Sequence, residues 1–329
     1  MIRPGPRNLI TDVPGIRVGN AEQADHLTGV TVVLPDRPAV AAVDVRGGGP
    51  GTRETDAMQP SALVERVDAV TLSGGSAFGL EAASGVASWL AARGRGFQVG
   101  EAREPIVPAA ILFDLMGGAP GDWGHMPPYR GLGLKACDAA GEDFALGNAG
   151  AGMGATAGAL KGGLGSVSAK GDDGLIVGAL AAANPVGSTV MPGQSTLWAW
   201  MLEQNGELGD QKPPDSPVSL APDLPDVLRA AANTTLVVVA VSAPLTRPQA
   251  QRVAIMAQDG IARAVRPAHT PYDGDTVFVL STGEGHPPAP AEVARIGAIA
   301  ADCTARAIAR GVYEAEPAGG HPSWRERYR

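Results

Sequence analysis

An Asn-Thr-Thr triplet is the first feature of this sequence that could do chemistry. Asn233, Thr234 and Thr235 lead directly into the valine-rich run Leu236–Ala240, and such runs favour strands buried on both faces. Threonine is common at the start of a strand, and the triplet alone favours that ordinary interpretation. The alternative is that the chain cuts its own Asn233–Thr234 bond. The new α-amine, with a pKa near ~8, could then take the proton of the Thr234 hydroxyl.

The sequence upstream of the triplet supports the second interpretation. Residues 203–226 are polar and acidic and contain five prolines, and residues 230–232 are three alanines. We interpret Glu203–Asp226 as a long exposed loop. A mobile segment directly before the cut would let the new terminus move away from the site.

Two carboxylates precede a second predicted strand. Residues 246–267 predict a helix that opens with the spacing of a capping box, and Asp273-Gly274-Asp275 then leads into the strand Thr276–Leu280. A strand–helix–strand unit favours a crossover that leaves the two strands parallel, so both begin at the same edge of the sheet. We therefore predict that both aspartates lie near Thr234, although Asp-Gly-Asp is also an ordinary turn.

Two glycine-rich loops follow predicted strands and could bind a substrate through bare backbone N–H groups. The candidate substrate-binding residues are Gly47, Gly48, Ser73, Gly74, Gly75 and Ser76. The alternative is close packing in tight turns, and the two serines are more typical of helix caps than of nucleophiles. Neither loop predicts a nucleotide site. The first lacks the Gly-Lys-Ser/Thr ending of a P-loop, and the second has the wrong glycine spacing for a dinucleotide fingerprint.

The other predicted elements alternate between strands and helices. Strands are predicted at residues 29–34, 39–45, 68–72, 105–113 and 174–183, helices at 76–90, 132–140 and 290–311, and a hairpin at 9–19. Residues 147–158 are almost all small, which indicates tight packing around a site or backbone groups lining one. Lys161 and Asn184 follow; their ordinary interpretations are a surface cation and a turn former before proline.

The composition excludes several classes of protein. The 329 residues carry a formal net charge of −8, which argues against nucleic-acid binding because that function normally needs a basic patch. No run of about 18 apolar residues predicts a membrane span, and the first residues lack the apolar core of a secretory signal, so we expect a cytoplasmic protein. Cys137 and Cys303 are expected to be buried thiols, and no metal-ligand spacing or cofactor motif is present.

Eight segments in order along the chain together resemble the DmpA-type (S58) family of self-cleaving N-terminal nucleophile peptidases. They are Asp12–Gly19, Arg46-Gly47-Gly48, Ser73–Leu80, Gly150-Ala151-Gly152, Lys161-Gly162-Gly163, Asn184–Gly187, Asn233-Thr234-Thr235 and Asp273–Thr276. The family includes stereospecific aminopeptidases, β-peptidyl aminopeptidases and nylon-oligomer hydrolases. The resemblance implies an α/β (α+β) fold, a four-layer αββα sandwich like that of Ntn hydrolases and ornithine acetyltransferase.

The nucleophile and its acidic partners depart from one branch of this family. The β-peptidyl and D-stereospecific branch uses a serine with a Ser-x-Glu motif. Here the matching positions are Thr234 and Asp273-Gly274-Asp275, as in the nylon-oligomer hydrolase branch. This difference predicts a broader amidase rather than a strict aminopeptidase.

The resemblance also implies roles for individual residues. Thr234 would be the nucleophile, Asn184 would donate to the oxyanion, and Lys161 would hold the hydroxyl or the intermediate electrostatically. Asp273 and Asp275 would orient the amine and Lys161. We expect a single domain, 1–329, cut into chains 1–233 and 234–329 and assembled as a homotetramer, with a small peptide or amide oligomer as substrate. Three alternatives remain open: an aminopeptidase with strict N-terminal specificity for β-peptidyl or D-amino acid substrates, an acyltransferase like ornithine acetyltransferase, and a non-catalytic oligomeric binding protein.

Overall fold

The structure, a computed structural model, describes residues 1–118, 123–219, 221 and 233–329. The strands are β1 (Ile2–Arg3), β2 (Ile16–Gln23), β3 (Thr28–Pro35), β4 (Ala39–Val45), β5 (Thr52–Arg53), β6 (Arg66–Val67), β7 (Val70–Ser73), β8 (Phe97–Val99), β9 (Ala102–Glu104), β10 (Ala109–Ile111), β11 (Thr156–Ala157), β12 (Leu160–Lys161), β13 (Gly163–Gly171), β14 (Ile176–Asn184), β15 (Thr234–Val241) and β16 (Thr276–Ser281). The helices are α1 (Glu81–Ala91), α2 (Tyr129–Asp138), α3 (Arg247–Ala264), α4 (Pro290–Glu314) and α5 (Trp324–Tyr328).

Two large sheets form the centre of the described chain. One has seven strands in the order β1-β13-β14-β15-β16-β4-β6, and the other has five in the order β2-β3-β7-β10-β5. Strand β15 lies in the middle of the larger sheet, antiparallel to β14 and parallel to β16. The predicted crossover through α3 is therefore confirmed.

The apolar side chains of β15 alternate between two cores. Val237, Val239 and Val241 pack with α3 and α4, whereas Leu236 and Val238 pack against the smaller sheet. A third core joins the other face of the smaller sheet to α1 and α2. The order of layers is thus helices, sheet, sheet, helices, which confirms the predicted four-layer sandwich. It also explains why the valine-rich run is apolar at every position.

Several predicted elements are confirmed and others need correction. Strand β4 spans the predicted residues, and the Thr246 side chain caps α3 in a capping box. The predicted hairpin at residues 9–19 is wrong, because residues 10–12 form a single 3₁₀ turn and β2 pairs with β3. Strand β10 is much shorter than predicted.

Ser76 is not the helix cap that the sequence predicts. It has a φ of 51° and begins a 3₁₀ helix over residues 76–80, so that α1 starts only at Glu81.

The predicted exposed loop Glu203–Asp226 lies partly outside the described residues, as do the three alanines at 230–232. The described part, 203–219, is a loop that is mostly exposed or half-buried, with a local turn near its start. Leu208 is fully buried, and the Glu203 carboxylate accepts the N–H groups of Leu208, Asp210 and Gln211. The sequence-based interpretation missed this local turn.

None of the helices in the described chain is both long enough and apolar enough to cross a membrane.

Helix α4 lies on β13 at backbone contact, which glycines make possible. A Cβ on Gly165 would lie 2.0 Å from the Ala307 carbonyl oxygen and 2.3 Å from the Gly311 nitrogen. Gly165→Ala should therefore lower the stability of the fold by about 1–3 kcal/mol, because backbone atoms must move to relieve the overlap. The change is measured as a lower midpoint of thermal or urea unfolding.

The matched control is Gly131→Ala on the exposed face of α2, where a Cβ meets no atom within 4 Å. This variant should be more stable by up to about 1 kcal/mol, since alanine favours the helix. Equal stability of the two alanine variants would contradict the proposed close contact.

Candidate active site

The start of β15 lies between two segments that carry the predicted catalytic residues. Thr234 pairs in register with Asn184, the last residue of β14, and such directly opposed side chains lie on the same face of the sheet. Both residues are buried. The Thr234 hydroxyl donates to the carbonyl oxygen of Asn233. This carbonyl belongs to the Asn233–Thr234 peptide bond, which self-cleavage would break.

The Asp273-Gly274-Asp275 turn lies on the other side of Thr234. The Gly274 N–H donates to the Asn233 carbonyl oxygen at 3.1 Å, and a Cβ on Gly274 would lie 2.7 Å from the Thr234 hydroxyl oxygen. Asp275 Oδ1 accepts the N–H of Thr235 at 2.8 Å. The acidic turn therefore lies beside Thr234, and a glycine at its centre is required for so close an approach. Of the two carboxylates, that of Asp275 contacts the residue after Thr234, whereas that of Asp273 binds Val186 and Thr270.

Both aspartates are almost fully buried and hydrogen-bonded by the chain. Asp273 accepts the N–H groups of Val186 at 3.0 Å and Thr270 at 3.1 Å, one on each oxygen. Asp275 Oδ2 accepts the backbone N–H of His269 at 3.1 Å and contacts its Nδ1 at 2.7 Å. Burial raises the pKa of Asp273, and the nearby charge of Asp275 raises it further.

The Asn184 side chain is held from two sides. Its Oδ1 accepts the N–H of Thr156 at 2.8 Å, and its Nδ2 donates to the Phe113 carbonyl at 3.3 Å. The Asn184 carbonyl also accepts the Nδ2 of Asn233 at 3.3 Å. Asn184 thus connects the triplet to the β11–β12 hairpin and to the chain beyond β10.

Lys161 is a buried cation rather than a surface one, with 1% of its surface exposed. Its Nζ donates to the carbonyls of Gly152 at 3.0 Å, Ala155 at 2.8 Å and Gly162 at 2.9 Å, which accounts for all three ammonium protons. Burial lowers its pKa to about 7, against an opposing effect of the Asp114 charge. Among the described residues, its ammonium protons therefore reach carbonyls and neither Asp273 nor Asp275.

Gly47 and Gly48 support the acidic turn instead of offering free N–H groups. Their N–H groups donate to the carbonyls of Asp275 at 3.4 Å and Thr270 at 3.2 Å. A Cβ on Gly47 would lie 2.3 Å from the Asp273 carbonyl oxygen. The close-packing alternative raised by the sequence describes this loop.

The second glycine-rich loop encloses a carboxylate. The N–H groups of Gly74 and Ser76 donate to the carbonyls of Gly29 and Leu112. Ser73 Oγ donates to the Gly74 carbonyl. Gly75 N–H donates at 2.7 Å to Oδ1 of Asp114, whose pKa burial raises to about 6. The Asp114 charge is near enough to Lys161 to oppose the fall of the lysine pKa.

The chemistry of the described residues offers no metal centre, since no group of three or more His, Cys, Asp or Glu there could hold an ion. Cys137 and Cys303 are buried free thiols, as expected. Burial raises the pKa of each to about 12, so neither is suited to act as a nucleophile.

Comparison with known proteins identifies the family. The model of peptidase family S58 matches residues 8–324. The chain belongs to this family. It is 45% identical to an uncharacterized aminopeptidase of Mycobacterium tuberculosis over 98% of both chains. It is 29% identical to a 6-aminohexanoate-oligomer endohydrolase of Kocuria sp., over 85% of this chain and 76% of that protein.

A solved structure agrees with the fold. The L-aminopeptidase D-Ala-esterase/amidase of Ochrobactrum anthropi, described as a variant of the Ntn hydrolase fold, matches with a TM-score of 0.73. The match covers 97% of this chain and 89% of that one at 21% identity. The S58 chain is accordingly an amide hydrolase with a layered fold of this type.

The structure adds residues that the sequence did not assign to the site. Thr156, His269 and Thr270 bind Asn184, Asp275 and Asp273 respectively. His269 and Thr270 are only a few residues before the acidic turn, and their proximity was the available signal. Nothing in the sequence signalled Thr156, because its contact depends on how the β11–β12 hairpin folds over β14.

The lowered pKa of Lys161 makes a testable contribution to stability. Between pH 7 and 10.5 the unfolded chain holds a proton on this lysine that the folded chain has released. Raising the pH across this window therefore favours the folded state by up to about 1.4 kcal/mol per pH unit. The wild type should gain this stability relative to Lys161→Met, measured by urea unfolding at several pH values.

Lys135→Met is the control, because Lys135 is exposed on α2. Its stability difference from the wild type should stay constant over the same pH range. All comparisons are made in a Thr234→Val background so that cleavage does not vary. A constant difference for Lys161→Met as well would mean that this lysine remains charged when buried.

Proposed function

We propose that this S58 hydrolase is a self-processing N-terminal threonine amidase. The chain cuts its own Asn233–Thr234 bond, and Thr234 then cleaves the amide bonds of peptides or amide oligomers through an acyl-enzyme. Residues 1–329 would form one domain that becomes an αβ unit. The family resemblance implies assembly as a homotetramer, and the sequence analysis predicts a cytoplasmic location.

The observation that carries the proposal is the pair of contacts on the Asn233 carbonyl. The Thr234 hydroxyl and the Gly274 N–H both donate to this oxygen. The hydroxyl therefore lies beside the carbonyl that it would attack, and a fixed N–H is already aimed at the oxygen where negative charge develops. The Gly274 N–H bond belongs to a parallel bridge between Asn233 and Asp273 that continues the β15–β16 register, so the hydroxyl contact is the feature that an ordinary start of a strand does not need.

Self-cleavage then follows in two balanced steps. The Thr234 hydroxyl oxygen adds to the Asn233 carbonyl carbon, the C–N bond breaks, and the amine of Thr234 takes up the hydroxyl proton. Water hydrolyses the resulting ester, which leaves a carboxylate on Asn233 and a free amine and hydroxyl on Thr234. In turnover the same hydroxyl attacks a substrate amide, and the α-amine takes the hydroxyl proton and passes it to the leaving amine. Water then hydrolyses the acyl ester, which releases the acid and restores the hydroxyl.

The surrounding groups support the charges of these steps. Asn184 faces Thr234 across β14 and β15, and one such donor to an oxyanion typically contributes about 3 kcal/mol. Asp275 accepts the N–H of Thr235 and lies where it can stabilise an ammonium at the new terminus. Lys161, held by three carbonyls, supplies positive potential to the site while it is protonated, below its lowered pKa of about 7.

The first test compares the same change at two neighbouring threonines. Thr234→Val removes the hydroxyl at constant shape and should leave a full-length, folded chain without amidase activity. Thr235→Val should still be cut, because the Thr235 hydroxyl is buried with no hydrogen-bond partner in the described chain. Intact-mass spectrometry of the purified proteins measures the cut, and the wild type should yield a fragment that begins at Thr234.

An active Thr234→Val enzyme would overturn the proposed nucleophile. Full activity in an uncut wild type would overturn the role of the new amine. A cut that persists in Thr234→Val but not in Thr235→Val would mean that Thr235, and not Thr234, is the residue required for cleavage.

The substrate is proposed to be an amide that need not carry a free α-amine. An aminopeptidase must pair the substrate ammonium with a carboxylate, because an unpaired buried charge costs several kcal/mol. Each oxygen of Asp273 and Asp275 already accepts a hydrogen bond from the chain. The oligomer endohydrolase among the relatives is consistent with this interpretation.

A strict aminopeptidase is the second candidate, favoured by the more similar relatives that carry that name. Asp114 would then be the carboxylate that receives the ammonium, since its Oδ2 is buried with no hydrogen-bond partner in the described chain. The two candidates differ in how acetylation of the substrate amine should change the rate of cleavage.

The second test measures kcat/KM for a short amide oligomer with a free or an acetylated amine. The two rates should agree within about tenfold, a difference in barrier of ~1.4 kcal/mol. A loss of several hundredfold on acetylation, abolished by Asp114→Asn, would instead identify an aminopeptidase. Acyl transfer is checked in the same assay, since an added amine acceptor would divert product from the acid to an amide.

A further inference from the structure

We propose that His269 is a positioning residue of this site, which fixes the Asp275 carboxylate and through it the start of β15. Neither the family resemblance nor the sequence assigned this histidine a role. The inference rests on the proposed function, because it concerns how the Thr234 nucleophile is held.

His269 makes two contacts to one carboxylate oxygen. Its backbone N–H donates to Asp275 Oδ2 at 3.1 Å, and its Nδ1 lies 2.7 Å from the same atom. The opposite oxygen, Oδ1, accepts the Thr235 N–H at 2.8 Å. The carboxylate is therefore clamped between the histidine and the residue that follows the nucleophile.

The chemistry of this pair sets the direction of the hydrogen bond. An ionised carboxylate only accepts, so the proton of a neutral His269 ring lies on Nδ1. Asp275 has 2% of its side chain exposed and His269 has 26%. With the ring in place, solvent thus reaches the histidine but scarcely reaches the carboxylate.

Loss of the ring removes the shorter of the two contacts on Oδ2. The backbone N–H groups of His269 and Thr235 would still hold one oxygen each, but the carboxylate would be held less tightly. The Thr235 amide and the adjacent Thr234 hydroxyl would then be placed less firmly relative to Gly274. A misplacement of about 1 Å near reacting atoms can cost roughly a hundredfold in rate.

The backbone at His269 permits a clean test. Its φ is +56°, a left-handed conformation that glycine adopts freely and asparagine tolerates better than most residues. His269→Gly therefore deletes the ring without straining the turn. His269→Asn restores an N–H donor close to the position of Nδ1–H.

The experiment compares cleavage and turnover in these two variants of the full chain. His269→Gly should slow both by about ten- to a hundredfold with KM little changed, because the substrate is still bound but the nucleophile is loosely placed. His269→Asn should recover most of both rates. Added imidazole should partly restore His269→Gly, a response that a loop held only by its backbone would not show.

Two results would overturn the inference. One is a His269→Gly enzyme as fast as the wild type. The other is a His269→Asn enzyme as slow as His269→Gly together with no response to imidazole, since the donor would then be irrelevant.

A second measurement separates this failure from failure of the proposed function. In the uncut Thr234→Val background, hydrogen–deuterium exchange of the peptide at the start of β15 reports whether Asp275 still holds the Thr235 N–H. Exchange should accelerate with His269→Gly and return with His269→Asn. Unchanged exchange refutes the positioning role even if Thr234 proves to be the nucleophile. Accelerated exchange supports the positioning role even if Thr234 proves not to be the nucleophile.

Discussion

The parallel pairing of β15 and β16 is the constraint on which the site depends. Leu236 pairs with Thr276 and the register continues to Val241 and Ser281, so both strands begin at one edge of the sheet. That edge receives the triplet from one strand and the acidic turn from the other. The same pairing holds residues 234–241 between β14 and β16, so a cut before Thr234 leaves the sheet intact. The proposed self-cleavage and the retention of both pieces would therefore have one structural cause.

Backbone groups, more than side chains, stabilise the buried charges of this site. A buried ammonium or carboxylate is costly unless hydrogen bonds satisfy it. Lys161 reaches carbonyls in the small-residue segment, and Asp114 receives the N–H of Gly75. Such contacts require backbone to approach closely, which explains the glycines around them. The low pKa of Lys161, about 7, follows because carbonyl dipoles do not fully replace water around the charge.

The sequence predicted what depends on local pattern and topology. The run at Leu236–Ala240 predicted a doubly buried strand, and the α3 crossover brought Asp275 to Thr234. Prediction from the sequence failed for side chains whose hydrogen-bond partners are distant in the fold. Lys161 was expected to contact the aspartates, but its partners depend on the backbone conformation of residues 152–162. Gly47 could be assigned to packing or to binding only once its N–H was seen to donate to Asp275.

The intact chain already occupies the positions that a substrate would need. The Gly274 N–H binds the Asn233 carbonyl, and the amine of Thr234 is part of a peptide bond that cannot accept a proton. In the proposed mechanism one event changes both. Hydrolysis frees the α-amine to act as a base, and departure of the Asn233 carboxylate exposes the Gly274 N–H to a new carbonyl. The precursor thus serves as its own first substrate, and the acyl group that it cleaves marks where later substrates bind.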